Sequence, residues 1–140
     1  MEKEAIMATL ENYASAYCDK DIDALMKVFV DSDDISLIGT GADELCGGKD
    51  AVMKVFLRNF EEATAEQFEW HWSHITISGE CAVVAITLTI HLIYQGEDLK
   101  VPIRWTVALR KVQGRWAWLH RHASSAASDQ DEGAAYPKDQ

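Results

Sequence analysis

From Glu66 to Ser124 the chain alternates apolar and polar residues with a period of two, and only three short breaks interrupt the pattern. The breaks are Ser78-Gly79, Gln95-Gly-Glu97 and Gln113-Gly114, each holding the glycine that a tight hairpin loop prefers. Four long strands follow, at Gln67–Ile77, Cys81–Tyr94, Asp98–Lys111 and Arg115–Ser124. A meander this long has to curl, and it needs something to cover one face.

The cover lies upstream. Ile6, Leu10, Tyr13 and Tyr17 fall at helical spacing over Lys3–Cys18, and Asp21 is placed to cap a second helix carrying Ile22, Leu25, Met26 and Phe29. A third helix spans about residues 49–63, with Val52, Val55, Phe56 and Phe60 on one side. Between these helices, Ile35–Ile38 reads as a short strand and Leu45-Cys46 as another. The fold class is α+β, with three N-terminal helices packed on one face of a strongly curved antiparallel sheet that encloses a cone-shaped hollow. Such mouths favour ligand pockets. Residues 1–125 form the domain. Residues 126–140, small and polar with four acids and one lysine, read as a loosely held tail.

Charge narrows the partners. Twenty-three acids against 13 Lys and Arg give −10, which argues against phosphate-backbone binding as the main task. The first residues hold no long apolar stretch, and no run reaches the ~18 apolar residues of a membrane span. Three cysteines, Cys18, Cys46 and Cys81, fit no zinc spacing, so free thiols in a reducing cytoplasm are expected.

Short loops set register, and loops of two, three and two residues at the three breaks give cross-strand rows that a single bulge would shift. One row is His71–Ile86–Thr106–Arg121, and the next on the same face is Glu69–Leu88–Arg104–Ala123. The opposite face carries Trp70–Thr87–Trp105–His122 and Trp72–Ala85–Val107–His120. Both faces are apolar enough to need cover, and hydropathy leaves open which one meets the helices. The other should meet a second copy of the chain.

The order of these features resembles the nuclear transport factor 2-like superfamily, and within it the SnoaL-like, ketosteroid-isomerase-related domains. The resemblance rests on Asp21-Ile-Asp-Ala-Leu25, Phe29, Asp33-Asp34, Gly39-Thr-Gly41 with Glu44, Gly47-Gly-Lys-Asp50, and a meander closing on Trp116-Ala-Trp-Leu-His-Arg-His-Ala-Ser124. It implies a conical fold, a pocket between the concave sheet face and the helices, and dimers through the sheet. It implies no single activity. The isomerase's oxyanion tyrosine falls on Tyr13, its general-base aspartate on Ile38 or Gly39, and its protonated aspartate on Thr106. With both acids missing, steroid isomerisation by that route is not expected. The likeness also turns the row with Thr106 and Arg121 towards the pocket, together with Arg104. The Trp-rich face (Trp70, Trp72, Trp105, Trp118, His120, His122) then becomes the homodimer face.

The expected function is therefore binding of a small, partly apolar anion, a carboxylate, held by Arg121 and Arg104 with Thr106, Tyr17 and Glu69 nearby. Guanidinium forks match carboxylates, and an isolated buried one is costly. A cofactor-independent isomerase, hydratase or cyclase is the alternative, with His71 or Glu69 as base and Tyr13 polarising an oxygen. A dimeric assembly domain with an incidental pocket is the third reading. No cofactor and no metal are expected, because His120, His122 and the His71/His74 pair find no further ligands in these rows. No GxxxxGK[ST] loop or GxSxG elbow is present.

Overall fold

The computed structural model describes residues 1–138. The elements run α1 (Glu2–Cys18), α2 (Ile22–Met26), β1 (Ser36–Ile38), β2 (Leu45–Gly47), α3 (Lys49–Glu62), β3 (Thr64–Ser78), β4 (Cys81–Tyr94), β5 (Glu97–Val112) and β6 (Arg115–Ser124). One six-stranded sheet has the order β2-β1-β6-β5-β4-β3, antiparallel except where β1 lies parallel to β6. The helices cover its concave face, and the architecture is the expected cone-shaped α+β fold. Residues 139 and 140 of the expected tail lie outside the described residues.

Local chemistry explains most boundaries. The Asp21 carboxylate accepts from the Ala24 N–H at 3.1 Å and starts α2 as expected. That helix ends at Met26, short of Phe29, because the next residues join the sheet. Val30 N–H donates to the Trp118 carbonyl and Trp118 N–H to the Val28 carbonyl, both at 2.9 Å. Ladder hydrogen bonds win over another helical turn.

The hairpins differ from expectation by single residues. The β4–β5 loop has two residues, Gln95-Gly96, with Tyr94 paired to Glu97. Both loop residues have positive φ (51° and 79°), a turn that matches the twist of the flanking strands. The β3–β4 loop is Gly79-Glu80, since Ser78 pairs with Cys81. At β5–β6 the Gln113-Gly114 loop stands as expected, but Leu119 forms a bulge: Leu109 pairs with Trp118 while Ala108 pairs with His120.

These slips exchange faces. Trp105 pairs with Ile86 and Ala123, and Val107 with Val84 and Arg121, so these residues share the concave face. Trp105 and Trp118 are buried at 2% and 0% exposure. Trp70 also turns inward, its indole N–H donating to Glu11 of α1 at 2.6 Å. The expected Trp-rich dimer face therefore does not exist as one surface. Its tryptophans at 70, 105 and 118 pack under the helices, while His120 and His122 pair with Ala108 and Thr106 on the outer face.

The core is an aromatic stack nucleated by Tyr13. Its ring lies 4.8 Å from Trp118 in near-parallel stacking, 5.0 Å from Trp105 edge-on, and 5.8 Å from Tyr17. Each such ring adds roughly 1.5–3 kcal/mol by burial alone. The Trp118 indole N–H donates to the Thr9 hydroxyl at 2.8 Å, which donates on to the Ile6 carbonyl at 2.6 Å. A buried polar tip thus costs nothing here.

Candidate functional site

α1, α3 and the loop after β1 stand above the concave face of β4, β5 and β6, and the gap between them is a cavity of about 330 Å³. Its sheet wall is apolar: Ile90 and Leu92 from β4, Leu99, Val101 and Ile103 from β5, Ala123 from β6. The facing wall is polar, with Tyr17 from α1, Thr40 and Glu44 from the loop, and Asn59 and Glu62 from α3. Arg121 is the cationic side chain that lines it.

Arg121 is 8% exposed. Its Nη1 donates to the Tyr13 hydroxyl at 2.9 Å and its Nη2 reaches the Ile38 carbonyl at 3.4 Å. Its guanidinium carbon lies 5.3 Å from the Trp105 ring centroid. Among the described residues no carboxylate stands within 4.0 Å of it. Its Nε is buried and has no partner. Burial pushes the Tyr13 and Tyr17 phenols well above their ordinary range, against the pull of the Arg121 charge. Both hydroxyls therefore stay protonated at neutral pH.

Glu44 enters from a loop built to hold it. Its Oε1 accepts the Gly41 N–H at 2.7 Å, and its Oε2 lies 3.5 Å from Arg58. A Cβ on Gly39 or Gly41 would come within 2.7 or 2.8 Å of the Glu44 carboxylate, so the glycines leave the space its side chain occupies. Arg58 is itself tied to Asp43 at 2.8 Å.

Of the residues singled out from sequence, Arg121 and Tyr17 line the cavity together. Tyr13 sits behind it as the support for Arg121 rather than facing the space. Arg104 and Thr106 lie on the outer face: Arg104 donates to the Ser124 hydroxyl at 3.2 Å and to the Ser125 carbonyl at 3.4 Å. His71 is exposed and bonds the Thr89 hydroxyl at 2.9 Å, while Glu69 pairs with His91 at 2.9 Å on that same side. All four were expected in the pocket, and the one-residue shifts in register put them outside it. Among the described residues no three His, Cys, Asp or Glu side chains converge as metal ligands.

Sequence reasoning quoted Glu44 only as part of the family likeness and did not place it in the pocket, and it missed Asn59. Asn59 had a signal: it interrupts the stripe Val52, Val55, Phe56, Phe60 on α3 as its one polar member. Glu44 had another in the two glycines that precede it.

A family model described as a SnoaL-like domain matches residues 6–128. Among solved structures, the chain is similar to an NTF2-like protein of unknown function from Pseudomonas putida KT2440 (21% identity, 86% of this chain and 84% of that one, TM-score 0.73). It is similar to a ketosteroid isomerase-like protein from Erwinia carotovora atroseptica SCRI1043 (23%, 89% and 95%, 0.74). A protein of unknown function with a cystatin-like fold from Nostoc punctiforme PCC 73102 shares 16% identity over 90% of this chain and 92% of that one, with TM-score 0.72. No curated protein matches the chain at a significant level.

Proposed function

The chain belongs to the SnoaL-like domain family of the NTF2-like superfamily, and from that premise we propose that its conical cavity binds a small, partly apolar carboxylic acid through Arg121. The observation that carries this reading is the guanidinium itself. It is buried, held by a phenol, a carbonyl and an indole face, and has no ion-pair partner among the described residues. A buried cation left without a counter-charge is costly, and an incoming carboxylate offsets that cost while filling free N–H donors. The apolar sheet wall supplies the other half of the recognition, and about 330 Å³ suits a ligand of modest size. His71, Glu69 and Arg104 have no part in it.

The test is calorimetric titration with 4-phenylbutanoate, an apolar body bearing one carboxylate, alongside native mass spectrometry of the purified protein. Wild type is expected to bind, and Arg121→Met to lose at least tenfold in affinity, matching the worth of a charge-assisted hydrogen bond of about 1.5–3 kcal/mol. Arg121→Lys, which keeps the charge but not the fork, should fall between them. Binding that survives Arg121→Met in a folded protein refutes the reading.

A further inference from the structure

We propose that Glu44 makes the cavity selective for hydroxylated acids, so that the preferred ligand carries a hydroxyl hydrogen-bond donor on the chain that follows its carboxylate. The inference rests on the Arg121-anchored reading and deepens it.

A site meant for a plain anion gains nothing from a carboxylate in its wall. Here one is placed with care: two glycines clear its path, and the Gly41 N–H and Arg58 fix its two oxygens. The Glu44 side chain is only 16% exposed, and it lines the same cavity as Arg121. A carboxylate has about four lone-pair sites, so the two contacts leave capacity free. A ligand that enters displaces the water serving that capacity. One with a donor restores the hydrogen bond, and one without leaves an unpartnered charged acceptor.

The donor should be neutral. Glu44 already has partial compensation from Arg58 and a backbone N–H, and Arg121 lies in the same cavity, so a ligand ammonium would meet a guanidinium that has no ion-pair partner among the described residues. A hydroxyl fills the open acceptor site without that conflict. The apolar wall of Ile90, Leu92, Leu99 and Val101 then takes the rest of the molecule.

The experiment compares 4-phenylbutanoate with its 2-, 3- and 4-hydroxy derivatives by calorimetry on the full chain. At least one hydroxy acid should bind wild type about tenfold tighter than the parent. In Glu44→Gln that advantage should collapse to within about threefold while the parent binds equally well or better. Gly41→Ala, which pushes the carboxylate aside without removing it, is the second variant and should do the same. If the parent binds in an Arg121-dependent way as tightly as every derivative, or if the advantage survives both variants, the inference fails and the anchoring reading stands. If nothing binds through Arg121, the anchoring reading falls and takes the inference with it.

Discussion

Arg121 and Glu44 reach the cavity by opposite routes. Arg121 comes from the middle of β6 and is fixed from behind by Tyr13, so its position is set by the rigid core. Glu44 comes from a loop and is fixed by what its neighbours lack. Gly41 carries no left-handed backbone, so alanine is compatible there with the chain's own φ and ψ, and the obstruction is the Glu44 side chain, whose Oε1 would lie 2.8 Å and whose Cγ 3.3 Å from the new Cβ. Such a substitution reduces the freedom of the unfolded chain, worth about 0.4–1 kcal/mol in favour of folding, which offsets the cost of moving a side-chain tip. Gly41→Ala is therefore expected to unfold within about 3 °C of wild type while losing the preference for hydroxy acids. A melting temperature lowered by 10 °C instead would show that the Glu44 contact holds the loop together and is not merely held by it.

At the scale of elements, β1 is secured to β6 across the outer face by His120, whose Nδ1 stands 2.8 Å from the Ser36 hydroxyl. Burial, reinforced by the charges of His122 and Arg121, holds the His120 pKa below its ordinary value of 6.5, although Ser36 pulls the other way. The folded state therefore binds a proton at this site less readily than the unfolded chain. Stability from the neutral ring is present above pH 6.5 and is lost as pH falls through the lowered folded value. The melting temperature of wild type should drop between pH 7 and pH 5, and His120→Gln should drop measurably less; parallel curves would remove His120 from the account. The same strand shows what the sequence could and could not convey. Alternation and glycine breaks made four strands legible, with β4 and β6 bounded to the residue, because period and turn chemistry are local. The faces were not legible. One extra residue at Leu119 puts Trp118 and Arg121 on the same side although they are three apart, and a two-residue rather than three-residue loop after Tyr94 turns Trp105 inward and Arg104 outward. A bulge has no composition of its own, and its sign is decided by packing against α1. Arg121 was placed in the pocket through family likeness, which carries the bulge implicitly.

For the whole molecule, those shifts decide what the outer sheet face offers. Its centre is small and uncharged, built from Ala85, Thr87, Thr106 and Ala108, with Val83 44% exposed beside them and His120 and His122 at the margin. No helix covers it. An exposed patch of small, uncharged side chains on a sheet is where a partner settles, and the partner expected is a second copy of this chain, meeting itself across a two-fold axis. Of the Trp-rich rows, Ala85, Thr87, His120 and His122 stay on this face, while Trp70, Trp105 and Trp118 turn to the core and Trp72 is left 59% exposed. Each copy carries a formal charge of −10, so two copies repel over distance, while the residues at the centre of the patch are uncharged and Arg104, paired with Thr87, flanks them. Screening should relieve the repulsion without weakening apolar contact, and association should tighten as salt rises from 50 to 300 mM, roughly a shortening of the Debye length from 14 to 6 Å. Sedimentation velocity is expected to show a dimer at micromolar concentration. Thr106→Glu, exposed and free of core contacts, would bring two carboxylates face to face and should give a monomer with an unchanged melting profile. A wild type that sediments as a monomer at 50 µM and 300 mM salt would leave this face solvent-exposed, and the cavity would then belong to a protein that works alone.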